Sequence, residues 1–178
     1  MERSVIIAGF GGQGVILAGK ILAQAGMDHG LEVTWLPSYG PEMRGGTANC
    51  TVVLSDEAVG SPIVDEPSAL IAMNRPSLDK FEPMVAPRGV VIVNSSLVDR
   101  TTERDDLNAT YLSLNDLAAA AGNPRTINMV ALGAYLKASG ALPLDVARQA
   151  MSRMLEETGK TKFIDANRCA LEEGYNAV

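Results

Sequence analysis

The sequence predicts an α/β fold, one domain over residues 1–178 with a mostly parallel sheet flanked by helices and closed by C-terminal helices. Three observations predict it. Short β-branched runs, Ser4 to Ala8 and Val90 to Asn94 among them, read as buried strands. Stretches with apolar residues at helical spacing lie between and after them. The first strand also passes into the first helix through four glycines, Gly9, Gly11, Gly12 and Gly14. A strand that turns directly into a helix needs backbone without a Cβ in the way.

The first helix runs from about Gln13 to His29, with Val15, Ala18, Ile21, Leu22 and Ala25 on one face. Gly30 stands where a left-handed cap belongs. A second strand follows at Leu31 to Leu36, and the shortness of this strand–helix–strand unit predicts a parallel pair. Residues Pro37 to Gly46 hold two prolines and three glycines, which exclude regular structure. Thr47 to Leu54 and Ala69 to Met73 read as strands, and Ser77 to Val85 as a short helix. Residues 95 to 108 look like a solvated loop, with Asp105-Asp106 a solvated charge pair. Thr110 to Leu112 reads as an edge strand and Leu114 to Ala121 as a helix.

Three helices close the chain. Ile127, Val130, Ala131, Ala134 and Ala138 share a face from Thr126 to Ser139, and Gly140 caps that helix. Pro143 opens the next, with Ala147, Ala150, Met151, Met154 and Leu155 toward the core. Phe163, Ala166, Ala170 and Leu171 mark the last.

Composition removes several functions. A length of 178 residues fits one domain with a core that needs no disulfide. A net charge of −6 argues against nucleic-acid binding, which needs a basic surface. The two cysteines, Cys50 and Cys169, form no CxxC pair, so neither zinc nor an iron–sulfur cluster is expected. No apolar run is long enough to span a membrane and no signal peptide opens the chain, so the expected place is the cytoplasm. His29 is the only histidine, at a helix end, and no nucleophile elbow exists. No catalytic residue and no metal ligand are expected.

The binding candidates are two loops. Gly9-x-Gly11-x-x-Gly14 is the Rossmann-like fingerprint, whose turn aims the first helical N–H groups at an anion. That fingerprint also wants an acid at the end of the second strand, for a ribose. Pro37-Ser38-Tyr39 stand there instead, which argues against ordinary NAD binding. The second loop, Ser38 to Gly46, leaves the same edge of the sheet and carries the one cation of the pair, Arg44. Candidate ligand-binding residues are therefore Gly9, Gly11, Gly12, Gln13, Gly14, Ser38, Tyr39, Gly40, Arg44, Gly45 and Gly46. Arg44 either holds a phosphate or pairs with Glu42 or a carbonyl.

GFGGQGV at the start, SYGPEMRGG at 38 to 46, TANCTV at 47 to 52, SDEAVGSP at 55 to 62 and INMVALG at 127 to 133 together resemble the γ subunit of 2-oxoacid:ferredoxin oxidoreductases. The PEMRGG wording is most similar to the 2-oxoglutarate branch. The resemblance implies a complex that decarboxylates a 2-oxoacid on thiamine diphosphate with magnesium. Electrons pass through [4Fe–4S] clusters to ferredoxin, and the acyl group goes to coenzyme A. It implies α, β and ferredoxin-like δ subunits as partners, with this chain holding no cofactor alone and forming part of the coenzyme A side. No GDG thiamine diphosphate motif and no ferredoxin cysteines occur in the sequence. The indolepyruvate oxidoreductase β chain resembles the same loops. A free-standing NADP-binding module, with Arg44 replacing the usual acid, is the reading from a different class.

Overall fold

The computed structural model describes residues 2–38 and 47–178. The elements run β1 (Glu2–Phe10), α1 (Val15–Asp28), β2 (Glu32–Ser38), β3 (Thr47–Ser55), β4 (Ala69–Ala72) and α2 (Arg75–Phe81). After them come β5 (Val90–Asn94), β6 (Asn108–Leu112), α3 (Leu114–Ala120), α4 (Ile127–Ser139), α5 (Leu144–Glu157) and α6 (Ile164–Asn176). Short 3-10 turns at Glu82–Met84, Pro124–Thr126 and Thr161–Phe163 join some of them.

The six strands form one mixed sheet in the order β2-β3-β1-β4-β5-β6. β1, β4, β5 and β6 pair in parallel, as expected. The expected direct pair of β1 with β2 is not formed. β3 lies between them, antiparallel to both: it pairs with β1 over its whole length, from Phe10↔Thr47 to Glu2↔Ser55, and with β2 from Ser38↔Asn49 to Glu32↔Ser55. A buried run fixes which faces of a strand are covered, not which neighbour it takes, so the pattern of β1 and β2 was compatible with either pairing. Pro37 lies in β2, where the missing N–H is tolerated because β2 is an edge strand.

Alternation along the strands divides the core into two. Val5, Ile7, Cys50, Val52, Ile71 and Ile92 face α1 and α4. Ile6, Ala8, Leu70, Ala72, Val91 and Val93 face Leu78 and Phe81 of α2. α1 lies against β3 through Gly19 and Gly26. A Cβ on Gly26 would come within 2.5 Å of Leu54 Cδ2, and one on Gly19 would overlap Cys50 Sγ.

α4 departs from the one-sided helix expected. Every residue from Ile127 to Leu136 is buried. A helix apolar all round must be covered all round, and α6 supplies the outer cover. The two helices cross where Gly133 meets the Leu171 carbonyl and Gly174 meets the Val130 carbonyl; a Cβ at either glycine would overlap that oxygen.

Helix ends follow the expected chemistry. Gly30, at φ +83, donates to the Met27 carbonyl at 3.0 Å while Leu31 N–H donates to the Gly26 carbonyl at 3.0 Å. This pair of bonds is a Schellman closure of α1. Gly140, at φ +58, closes α4. His29 is the exposed C-cap of α1, and Met151 is buried in the core as expected. Phe163 is not a core residue: it precedes α6 and stays 39% exposed.

The segment expected to be a solvated loop after β5 is fastened. Glu82, 3% exposed, accepts from Arg100 Nη1 at 2.9 Å and from the Arg104 N–H at 3.2 Å. Arg104 in turn donates to the Val85 carbonyl. Asp105 and Asp106 are both exposed, as expected, and hydrogen bonding to Arg104, at 2.6 Å, holds the Asp106 carboxyl below the usual range. Among the described residues no helix is long and apolar enough to cross a membrane.

Candidate functional site

All strands but β3 run the same way, so the C-terminal ends of β1 and β2 lie on one edge of the sheet. The start of β3 lies between them, with Thr47 opposite Phe10 and Asn49 opposite Ser38. The glycine turn, Ser38 and Thr47 therefore share that edge. Tyr39, Gly40, Arg44, Gly45 and Gly46 lie outside the described residues, as does Glu42.

Each described residue of the turn has a definable task. Gly9 passes so close to its surroundings that a Cβ would come within 2.6 Å of Gln13 Oε1 and 2.8 Å of Met73 Cβ. Gln13 closes the turn on itself: its Oε1 accepts from the Phe10 N–H at 2.6 Å and its N–H donates to the Phe10 carbonyl at 3.2 Å. The Gln13 side-chain oxygen thus serves the turn. Gly12 has φ +93 with open space around it, and Gly11 is exposed. Gly14 has φ +75 and is the N-cap of α1, with no side chain to satisfy the first helical N–H groups and no acid in the first turn. Those groups and the positive end of the helix dipole face the same side. A cavity of about 240 Å³ opens there, lined by Phe10, Gly11, Gly12, Ile16, Leu17 and Ala48 among others.

Asn128, at the start of α4, holds the turn from beneath, its Nδ2 donating to the Gly14 carbonyl at 3.1 Å. It is 4% exposed and leaves no space for a Cβ on Gly14. The sequence signal was the Ile127-Asn-Met stretch, recognisable as a motif without a stated role. A second cavity, about 450 Å³, adjoins the first and shares Gly14 and Leu17 with it. Lys20, Arg125 and Lys160 line it. Lys20 is visible in the sequence as a lysine just after the glycines. Nothing in the sequence brings Arg125 and Lys160 to it, because they are more than a hundred residues away.

The described residues bring no nucleophile and base together. They contain no group of three His, Cys, Asp or Glu fit to hold a metal. Cys50 is fully buried with its thiol toward the Val15 carbonyl, and burial pushes that thiol up to about 12, far from the thiolate a metal or cluster needs. Cys169 is alone and exposed on α6. This donor set does not fit an iron–sulfur cluster or the magnesium of thiamine diphosphate.

Fold and site together define an α/β domain that presents a glycine-built, uncapped helix start at the C-terminal edge of its sheet and is suited to recognising an anion. The chain belongs to the pyruvate ferredoxin/flavodoxin oxidoreductase family, whose model matches residues 4–177. It is 42% identical over 173 residues to the ketoisovalerate oxidoreductase subunit VorA of Methanothermobacter marburgensis, covering 97% of this chain and 36% of that protein. It thus spans about a third of the length of that relative. It is 34% identical to the 2-oxoglutarate synthase subunit KorC of the same organism, covering 97% of this chain and 96% of KorC. Its fold matches the γ subunit of a keto/oxoacid ferredoxin oxidoreductase from Geobacter sulfurreducens PCA with a TM-score of 0.84 at 30% identity, over 98% of this chain and 97% of that one. These matches confirm the γ-subunit resemblance and do not favour a free-standing NADP module.

Proposed function

We propose that this chain is the γ component of a 2-oxoacid:ferredoxin oxidoreductase, acting as one domain over residues 1–178 in the cytoplasm and forming part of the coenzyme A side of the complex. The observation that supports this reading is the uncapped start of α1 beside the 240 Å³ cavity, on the edge where Ser38 and Thr47 lie. Thiamine diphosphate, magnesium and [4Fe–4S] clusters sit on partner chains, the α, β and ferredoxin-like δ subunits, with ferredoxin as the acceptor. This division is supported by the donor set of the described residues, which suits none of those groups. The end-to-end match to KorC supports a 2-oxoacid of the 2-oxoglutarate kind; the VorA match supports a branched-chain one. Both share the decarboxylation and acyl transfer, and partner chains choose between them.

The contribution of this chain is recognition. Backbone N–H groups around Gly11 to Gly14, with Arg44, set a positive potential where a phosphate-bearing thiol carrier arrives. The test is Arg44→Ala in a complex reconstituted with its partners. Loss of one charge-assisted phosphate contact costs about 1.5–3 kcal/mol. The coenzyme A requirement should then rise roughly ten- to hundredfold, with decarboxylation in its absence little changed. Failure of the complex to assemble would make Arg44 structural, and an unchanged requirement would remove the loop from the coenzyme A side.

A further inference from the structure

Two buried side chains reach the first turn of α1 from separate elements. From α4, Asn128 Nδ2 donates to the Gly14 carbonyl at 3.1 Å. From β3, the Cys50 thiol donates to the Val15 carbonyl, with Sγ 3.6 Å away. A peptide unit is planar and trans, so its C=O and its N–H point opposite ways. The Gly14 carbonyl shares its plane with the Val15 N–H, and the Val15 carbonyl shares its plane with the Ile16 N–H. Those two N–H groups open α1 after its N-cap, Gly14, and have no acceptor within the helix. Val15 and Ile16 both line the 240 Å³ cavity at the glycine edge. Asn128 and Cys50 thus each hold, from the protein interior, one of two planes whose donors belong to the anion edge. A carbonyl that accepts a further hydrogen bond also polarises its own peptide, strengthening the N–H by roughly 10–30%.

Stability does not account for these contacts. The Gly14 carbonyl already accepts from the Ala18 N–H at 3.0 Å, so it needs no second donor. Asn128 is 4% exposed, yet its Oδ1 has no protein partner among the described residues. A buried amide satisfied on one side only contributes little net stability. The Cys50 thiol is a weak donor. Burial pushes it up to about 12, which keeps its proton in place as a donor at neutral pH. Cys50 lies in TANCTV and Asn128 in INMVALG, two stretches with no other part in recognition.

We propose that Asn128 and Cys50 are positioning residues for anion recognition, acting through the Gly14 and Val15 carbonyls to aim and strengthen the Val15 and Ile16 N–H groups. This rests on the reading of the glycine edge as the coenzyme A side, and it names the buried residues that set the edge's donors.

Two measurements test it. An amide nitrogen responds to hydrogen bonding at the carbonyl of its own peptide plane. In the nitrogen-15 spectrum of the full chain, Asn128→Ala should therefore shift the Val15 resonance and Cys50→Ala the Ile16 resonance. In the complex reconstituted with its partners, Asn128→Ala should raise the coenzyme A KM roughly five- to tenfold, part of the cost of one charge-assisted bond. Cys50→Ala should raise it about threefold, because a thiol is the weaker donor. The kcat at saturating coenzyme A, and decarboxylation in its absence, should be little changed. Val91→Ala is the control for lost stability. It opens a cavity in the core on the opposite face of the sheet, and should lower the Tm at least as much while leaving the KM unchanged.

An equal rise in KM with Val91→Ala would reduce the effect to stability and overturn the proposal. Val15 and Ile16 resonances that do not move would overturn it as well. Arg44→Ala separates the proposal from the reading beneath it. If Arg44→Ala raises the KM and the two buried substitutions do not, the glycine edge keeps its role and Asn128 and Cys50 lose theirs. A rise with Asn128→Ala and Cys50→Ala but not with Arg44→Ala supports the positioning residues and removes the arginine. If none of the three raises it, coenzyme A is not read at this edge, and the reading and the proposal fall together.

Discussion

Glycine does opposite work at the α4–α6 crossing and in the turn after β1. At the crossing, Gly133 and Gly174 need no left-handed backbone, and each is glycine because a carbonyl oxygen of the other helix occupies the place of a Cβ. In the turn, Gly12 has φ +93 and nothing within 4 Å of where a Cβ would go. The first kind sets how closely two layers approach. The second sets where the backbone points, and it alone leaves main-chain N–H groups facing outward. Gly14 belongs to both kinds, with φ +75 and Asn128 against it. The same residue type, therefore, marks the tightest interior contact and the most open candidate site of this fold.

Substitution can break or sharpen that contrast. The largest effect is expected from Gly174→Ala. Its new methyl meets backbone that cannot move aside, so the helices must separate, at about 3 kcal/mol or more. A chain of this size should lose about 10 °C in Tm. An unchanged melt would mean the crossing is not a packing limit. Gly14→Ala should cost about 2 kcal/mol through its left-handed backbone, and more through Asn128. Adding Asn128→Ala should recover the clash and leave the backbone cost, which a double-mutant cycle on denaturant midpoints would read as coupling. Gly12→Ala should show the backbone cost alone, about 1–2 kcal/mol, with no coupling to a neighbour. A larger loss would show that the turn is packed after all.

The mildest test concerns Gly19, a packing glycine that lies on Cys50. Burial raises the Cys50 thiol from 9.0 to about 12 and the Tyr135 phenol from 10.0 to about 12. Above pH 9 the unfolded chain releases the thiol proton while the folded chain keeps it, so stability falls as pH rises, up to about pH 12. In Cys50→Ala only the phenol remains, and the onset of the fall should move from about pH 9 to about pH 10. Thermal melts across this range would show it, with no change of slope near neutrality.

What the sequence revealed depended on whether the signal was local. β5 was readable to the residue, because a β-branched run between Gly89 and a polar stretch has one reading. The glycine turn and the Gly30 and Gly140 caps were readable, since left-handed backbone selects glycine. Three features were not, and all are relations across the chain. β3 comes between β1 and β2 by an antiparallel choice that alternation does not encode. The cover of α4 comes from α6, whose Gly174 looks like any helical glycine until Val130 is placed against it. The fastening of Arg100 and Arg104 to Glu82 resembles ordinary surface charge when read along the chain. At the candidate site, the turn was legible, while Asn128 and the distant cations around the second cavity needed the fold.

The placement of β3 also has a consequence during synthesis. When the ribosome has released residues through Ser38, β1 and β2 are both out, yet neither has its neighbour, because the strand that bonds to each has not been made. The last of β3 is Ser55, opposite Glu2 and Glu32 at once, so about 17 further residues must be translated before these strands can close. At ordinary elongation rates that is a wait of about one to three seconds. Through that interval the nascent segment carries unpaired strand edges beside an apolar helix face, the kind of transiently exposed surface that favours aggregation over folding.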